Sequence, residues 1–206
     1  MPNPWLSIPL ADYEGHMKSA QVQQLDALSE LFAEVLARCH PASIAVLGIA
    51  GGNGLDRVDG SITRRVVGLD VNPVYLDEVG KRYAAKFGLE LHCVDLAEQL
   101  VDLEPVQLVH AALVFEHAGV DLCLENALSL VAPGGALSAV LQLPSEFEPS
   151  VGASQFPSIE KLKSHFSLID PVWLCQTLEQ REFRLTYQTW RSLPAGKGFW
   201  MGVFGR

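Results

Sequence analysis

The chain has 206 residues, of which 49% are hydrophobic and 19% charged, a balance that predicts one globular domain with a full apolar core. Its net charge is −9, and no run of Lys or Arg is longer than a pair such as Arg64 and Arg65. This disfavours nucleic-acid binding, which depends on basic patches. No segment approaches the ~20 uncharged apolar residues of a membrane span, and the N-terminus lacks a signal-peptide pattern, so we expect a cytoplasmic protein that is not membrane-bound and acts on small molecules or proteins.

The four cysteines predict neither disulfides nor a metal site, because they are far apart and include no CxxC pair. We expect buried free thiols in a reducing compartment at Cys39, Cys93, Cys123 and Cys175.

The first 40 residues predict an arm and a helix that together cap the rest of the chain. Residues 5–17 have no clear hydrophobic period, which indicates an ordered arm rather than a core element. Apolar residues recur at three-and-four spacing over 18–38, as in a helix with one buried face, and His40 and Pro41 end it.

Residues 41–206 predict an α/β domain in which strands and helices alternate. Apolar runs predict strands at 44–49, 65–70, 89–96, 106–113 and 136–143, and helices at 73–87 and 121–131, with the turn "APGG" before the fifth strand. This alternation is typical of a parallel sheet covered by helices on both faces. Further helices are predicted at 158–166 and 170–180. Strands at 182–193 and 196–206 must be antiparallel, because their connection is short.

The stretch "VLGIAGGNGLD" at 46–56 is the first candidate site. Gly51, Gly52 and Gly54 let a backbone turn sharply and approach a ligand closely. A plain tight turn explains a glycine cluster equally well.

Carboxylates follow the next two predicted strands. Asp70 is placed to accept hydrogen bonds from the two hydroxyls of a ribose, although a solvated Asp that starts a turn is the alternative. Asp95 can accept from an exocyclic amino group while Leu96 forms an apolar wall, and a helix cap for "LAEQL" is its alternative.

Glu116 and His117 follow the fourth predicted strand. Either side chain could take a proton from a substrate if it faces the cleft. A structural role for His117 is the alternative.

Together these motifs resemble the class I S-adenosylmethionine-dependent methyltransferases, over about residues 41–206. The matching stretches are "VLGIAGGNG", "GLDVNP", "CVDLA" and "FEHAGV" followed by "APGG", the last of which resembles the small-molecule branch. The resemblance implies a doubly wound, Rossmann-like seven-stranded sheet of order 3-2-1-4-5-7-6 with strand seven reversed, and S-adenosylmethionine as cofactor. It implies cofactor contacts from the residues of the three matching strand ends: Gly48, Ala50, Gly51, Gly52, Asn53, Gly54, Asp70, Val71, Asn72, Asp95 and Leu96.

The first motif departs from the family at two positions. Gly48 stands where the family usually carries a carboxylate that helps to hold the methionine ammonium, and Ala50 replaces the first of the usual glycines. Since Ala is strained at positive φ, we expect Ala50 at an ordinary backbone angle. The ammonium then needs other acceptors: loop carbonyls, Asn53, or the arm residues Tyr13, Glu14 and His16.

The sequence favours a methyltransferase with a small-molecule acceptor, in which His117 or Glu116 is the catalytic base. The arm would act as a lid, unless it merely packs on the helix layer, and residues 142–158 would shape the substrate pocket. A non-catalytic cofactor-binding module is the first alternative. A nicotinamide-dependent oxidoreductase is less favoured, because Arg57 stands where the third glycine or alanine of the dinucleotide motif belongs.

Overall fold

The computed structural model describes residues 3–146, 149–152 and 154–206. In this part of the chain there are seven strands: β1 Ser43–Leu47, β2 Arg65–Asp70, β3 Gly88–Cys93, β4 Val106–Ala112, β5 Val131–Leu143, β6 Arg184–Ser192 and β7 Gly198–Gly205. They form one sheet of order β3-β2-β1-β4-β5-β7-β6. The first five strands are parallel, and β7 is antiparallel to both of its neighbours. The predicted sheet and its reversed strand are confirmed.

Helices cover both faces of the sheet, because the strands are apolar on both sides. The helices are α1 Leu10–Lys18, α2 Gln24–Cys39, α3 Pro73–Tyr83, α4 Val114–Ala118, α5 Asp121–Ser129 and α6 Pro171–Glu179. In β1, Ile44 and Val46 face a core that includes α2 and α3, while Ala45 and Leu47 face a core that includes α5 and α6.

The arm contains a helix, α1, that the hydrophobic pattern did not reveal. Its buried residues are His16 and Met17, which is too few to produce a helical period. The next helix, α2, begins at Gln24 rather than at residue 18, because residues 19–22 form a turn.

Several predicted boundaries are wrong for local reasons. "APGG" is not a turn before β5 but lies within it, where the pairing with β4 shifts register between Val106 and Leu108, as in a bulge. The crossover from β1 to β2 contains the three-residue 3-10 turn Leu55–Arg57, and the predicted helix 158–166 is the 3-10 segment Pro157–Ser164.

All four cysteines are free thiols, but the prediction that all are buried is wrong. Cys123 is buried and Cys93 is exposed, because Cys93 ends the edge strand β3. Among the described helices, none is long and apolar enough to cross a membrane. The same residues include no group of three or more His, Cys, Asp or Glu that could hold a metal ion.

Candidate active site

The site is a cavity at the carboxyl edge of the parallel strands. The chain order reverses between β1 and β4, which lie side by side, and ligands bind at such switch points in open α/β sheets. The cavity and its mouth, which is open to solvent, together span about 1080 Å³.

The loop after β1 contributes Gly48 and Ala50 to the cavity wall. Both residues have a left-handed backbone conformation, with φ of 63° at Gly48 and 46° at Ala50. The prediction of an ordinary backbone angle at Ala50 is therefore wrong. The Ala50 N–H donates to Asp70 Oδ2 at 2.9 Å. This charge-assisted hydrogen bond offsets the strain of the left-handed alanine.

The other glycines of the loop lie on its far side. Gly51 and Gly54 line a separate small depression, and Gly52 lines neither that depression nor the cavity. An added Cβ would lie 2.1 Å from Glu14 Oε1 at Gly51, 2.8 Å from the Tyr83 ring at Gly52, and 2.8 Å from the Phe32 ring at Gly54. Close packing against protein side chains therefore accounts for these glycines.

Asp70 ends β2 with its carboxylate at the cavity wall, beside Val71. Its two oxygens accept from the N–H groups of Ala50 and Asn72, both at 2.9 Å. Burial raises the pKa of Asp70, and hydrogen bonds from Asn72, Ala50 and Val71 oppose that rise. Each carboxylate oxygen still has a lone pair for a ligand. Asn72 is a helix cap, since its Oδ1 accepts from the Val74 N–H.

Asp95 lies just beyond β3, and both it and Leu96 line the cavity. Its Oδ1 accepts from the Ala97 N–H at 3.0 Å, and its Oδ2 accepts from Asn3 Nδ2 at 2.8 Å. Asp95 Oδ1 therefore caps the segment that follows, as the capping alternative predicts. The other oxygen already binds an amide NH₂, a donor of the same kind as the exocyclic amino group of adenine.

The arm closes the cavity by hydrogen bonds to the strand ends. Beyond the Asn3–Asp95 contact, Asn72 Nδ2 donates to the Trp5 carbonyl at 2.9 Å, and the Tyr75 hydroxyl donates to the Ile8 carbonyl at 2.8 Å. These bonds join the arm to the segment that follows β2.

Two predicted arm residues, Tyr13 and His16, line the cavity, while Glu14 and Asn53 do not. Glu14 pairs with Arg82, and Asn53 Nδ2 donates to the Leu25 carbonyl at 2.9 Å. Burial raises the pKa of Tyr13, with smaller contributions from Asp70 and Glu14.

His16 is 7% exposed. Its imidazole ring makes no hydrogen bond to another described residue. Burial lowers its pKa, and the charge of Lys197 lowers it further against an opposing effect of Glu160. The neutral imidazole therefore has a nitrogen that can accept a hydrogen bond from a ligand.

His117 and Glu116, on α4, lie in different environments. His117 lines the cavity, and its buried Nδ1 has no hydrogen-bond partner in the described part of the chain. Burial lowers its pKa to about 4, although the His165 backbone carbonyl opposes this, so the ring is neutral at pH 7. Glu116 is 2% exposed and lies behind the cavity wall, where its Oε1 accepts from the Gln142 N–H at 2.8 Å. Burial raises its pKa to about 7.

Sequence reasoning missed the buried amide Gln24 of the cavity wall, and it included Gln142 only as the first residue of the segment 142–158. Gln24 Nε2 donates to Gln142 Oε1 at 3.2 Å, and Gln142 Nε2 donates to the Ser150 carbonyl at 2.8 Å. A polar residue near the end of the apolar run "ALSAVLQL" was the available signal for Gln142, because strand ends face the site.

No protein-family model matches the chain, and no curated protein is significantly similar to it in sequence. Solved structures do match. N-methyltransferase NodS from Bradyrhizobium japonicum WM9 in complex with S-adenosylhomocysteine is 14% identical, with a TM-score of 0.69 over 99% of this chain and 98% of that one. Magnesium protoporphyrin IX methyltransferase from Synechocystis PCC 6803 is 13% identical, with a TM-score of 0.62 over 89% and 82%.

A third similar structure is the [4+2]-cyclase SpnF, at 13% identity and a TM-score of 0.67 over 91% of this chain and 83% of that one. Together these similarities show that the chain has the Rossmann-like fold of the class I methyltransferases. The resemblance seen in the sequence is confirmed at the level of the fold.

Proposed function

We propose that the protein is an S-adenosylmethionine-dependent methyltransferase that acts on a small molecule. The observation that carries this proposal is the position of two carboxylates. Asp70 and Asp95 follow successive strands and line one cavity, which spans about 1080 Å³ with its mouth. Gly48 and Ala50, which have positive φ, line the same cavity. NodS and the magnesium protoporphyrin enzyme, whose names give methyl transfer, share this fold and have been crystallised with S-adenosylhomocysteine.

The residues of the cavity fit an adenosine group. Asp70 would accept from the ribose hydroxyls. Asp95 would accept from the adenine amino group, a role supported by the NH₂ donor that it already binds, and Leu96 and Val71 would flank the base. Gly48 would bring backbone close to the methionine moiety, and His16 or Tyr13 would accept from its ammonium.

The bound cofactor would supply an activated methyl group. The chain would then align donor and acceptor and exclude water, which is worth several kcal/mol when the geometry is well ordered. The arm would exclude the water, because its Trp5 and Ile8 carbonyls accept hydrogen bonds from Asn72 and Tyr75. His117 is the residue that we propose as base. Glu116 would position the end of β5.

A non-catalytic or non-methylating cofactor-binding protein is the second candidate. Gly48 favours it, since the usual carboxylate is absent, and a [4+2]-cyclase shares the fold. The same fold hosts different chemistries, so the site must decide. A nicotinamide enzyme is less favoured, because a three-residue 3-10 turn follows the glycine loop instead of the α-helix whose N-terminus binds a pyrophosphate.

Native mass spectrometry of the purified protein, followed by an assay of S-adenosylhomocysteine release with a panel of acceptors, tests the proposal. We expect bound S-adenosylmethionine or S-adenosylhomocysteine, and release that depends on the acceptor. Bound cofactor that stays unchanged with every acceptor would favour the second candidate. Absence of any cofactor binding would contradict both.

A further inference from the structure

Four aromatic rings form a continuous wall in the cavity, in the order Tyr13, Trp5, His117 and Phe166. The ring centroids are 5.4 Å apart for Tyr13 and Trp5, 4.8 Å for Trp5 and His117, and 4.9 Å for His117 and Phe166. Each pair packs edge to face, with interplanar angles of 74° to 85°. This is a favourable arrangement for aromatic rings. We call these four residues the aromatic wall.

The aromatic wall begins at the proposed cofactor subsite and continues away from it. Tyr13 lies close enough to Asp70 for the charge of that carboxylate to raise its pKa, whereas Phe166 belongs to the segment after β5. Trp5 and His117 lie between them. The part of the wall beyond Trp5 is therefore available to the methyl acceptor.

The remaining surface at this end of the cavity is largely uncharged. Aliphatic side chains line it at Val151, Ile159 and Leu162. Gln24 Nε2 donates to Gln142 Oε1 at 3.2 Å, and the charged Lys197 Nζ donates to the Ser150 carbonyl at 3.2 Å. Apolar walls with few polar groups are typical of sites in which shape and a small number of hydrogen bonds decide specificity.

One ring nitrogen of the aromatic wall is buried without a partner. His117 Nδ1 is buried and has no hydrogen-bond partner among the described residues, and a buried acceptor without a donor is costly. A single acceptor matches a ligand group with a single N–H or O–H. A hydroxyl fits this requirement, whereas a primary amine would leave a second buried N–H unpaired.

We infer that the methyl acceptor is a small aromatic molecule whose ring packs on the aromatic wall and whose hydroxyl donates to His117 Nδ1. This inference rests on the proposed methyltransferase function. A lone pair of the hydroxyl oxygen forms the bond to the methyl carbon, and the carbon–sulfur bond breaks with its electron pair left on sulfur. The hydroxyl proton passes to Nδ1, so the positive charge of the sulfonium ends on the imidazolium.

Fluorine NMR titrations of the protein saturated with S-adenosylhomocysteine test the ring and the hydroxyl separately. The probes are 4-fluorophenol, trans-4-fluorocyclohexanol, which lacks the aromatic ring, and 4-fluoroanisole, which lacks the donor. We expect 4-fluorophenol to bind about 2- to 12-fold more tightly than the cyclohexanol, the value of one aromatic pair. A similar factor over the anisole is expected for one hydrogen bond.

Two variants connect these preferences to named residues. Phe166→Leu should reduce the preference for the aromatic ring, and His117→Ala should remove the preference for the phenol over the anisole. Phe87→Leu is the matched control, because Phe87 stacks on Tyr83 and does not line the cavity.

Equal binding of the phenol and the cyclohexanol, preferences that survive both variants, or no phenol binding at millimolar concentration would each overturn the inference. Calorimetry with S-adenosylhomocysteine separates this failure from failure of the proposed function. Intact cofactor binding without an aromatic preference would refute the acceptor class alone.

Discussion

At the scale of single residues, the backbone conformation and the surroundings of Gly48 disfavour a side chain at this position of the first motif. Its φ is 63°, and a Cβ there would lie 3.2 Å from Val114 Cγ2. A carboxylate at this position would thus be strained and tightly packed, so Gly48 is a requirement of this backbone and not a deleted side chain that could be restored.

We therefore predict that Gly48→Asp weakens S-adenosylhomocysteine binding and lowers the free energy of unfolding by about 1–3 kcal/mol. Titration calorimetry and urea denaturation measure the two effects. Gly134→Asp is the matched control, since Gly134 also has positive φ, at 73°, but an added Cβ meets nothing within 4 Å. Tighter binding in Gly48→Asp would show that the loop simply lacks the family's carboxylate.

A second prediction concerns Asn3, whose amide binds the carboxylate oxygen that we assign to adenine. Asn3→Ala should tighten S-adenosylhomocysteine binding several-fold, up to about 10-fold, because the ligand no longer competes with a hydrogen bond to a charged group. Calorimetry measures the change. Ser7→Ala is the control, since Ser7 belongs to the same arm but accepts from Lys161 Nζ at 3.0 Å. Weaker binding in Asn3→Ala would mean that Asn3 helps to hold the ligand.

Sequence reasoning placed the strand-end acids Asp70 and Asp95 correctly at the cavity, because the carboxyl ends of parallel strands share one edge. It was wrong about the angle of Ala50, since the compensating hydrogen bond from the Ala50 N–H to Asp70 is visible only in three dimensions. It left ligand approach and a tight turn open for Gly51, Gly52 and Gly54, and it did not foresee that side chains from distant segments pack against them.

At the scale of elements, α4 connects β4 to the end of β5 through Glu116. The carboxyl group accepts from the Gln142 N–H, and its Oε2 is buried without a partner in the described part of the chain. Burial raises the pKa of Glu116 from 4.5 to about 7. Between these values the folded state binds more protons than the unfolded state, so this group's contribution to stability falls as pH rises through that window.

Glu116→Gln should therefore become more stable relative to the unaltered protein when the pH rises from 5 to 8, by up to about 3 kcal/mol. Urea denaturation at both pH values measures the difference in the free energy of unfolding. His117 is common to both proteins, so its titration largely cancels. A difference that is the same at pH 5 and pH 8 would contradict the assignment of a raised pKa to Glu116.

The strands were predictable as elements, and the arm was not. Continuous apolar runs such as "RVVGLD" identify buried parallel strands regardless of their neighbours. Helix α1 has only two buried residues, and its Asp12 and Glu14 bond to Ser158 and Arg82, which are distant in sequence. Local periodicity does not encode such contacts. The bulge in β5 likewise depends on its pairing with β4.

At the scale of the whole molecule, the arm and the sheet line one cavity, and ligand binding should couple them. At a concentration 100 times its dissociation constant, a ligand that binds only the folded state stabilises it by about 2.7 kcal/mol. Hydrogen exchange should detect the same coupling in residues 3–18. We expect slower exchange there with S-adenosylhomocysteine bound, and unchanged exchange in β6, which lies at the far edge of the sheet. An arm that exchanges faster with ligand bound would contradict the role of a lid.

The fold itself was predictable from the order of its parts, but the fold does not define the reaction, since a [4+2]-cyclase shares it. Our central proposal is that Asp70 and Asp95 recognise the cofactor in one cavity.

Titration calorimetry of S-adenosylmethionine into the protein and into Asp95→Asn tests it most directly, with Asp102→Asn, an exposed acid that does not line the cavity, as control. We predict one site per chain and a loss of about 10- to 100-fold in affinity for Asp95→Asn, the value of a hydrogen bond to a charged acceptor. The control should bind as the unaltered protein does. No heat of binding in the unaltered protein at millimolar ligand, or equal affinities in all three proteins, would contradict the account.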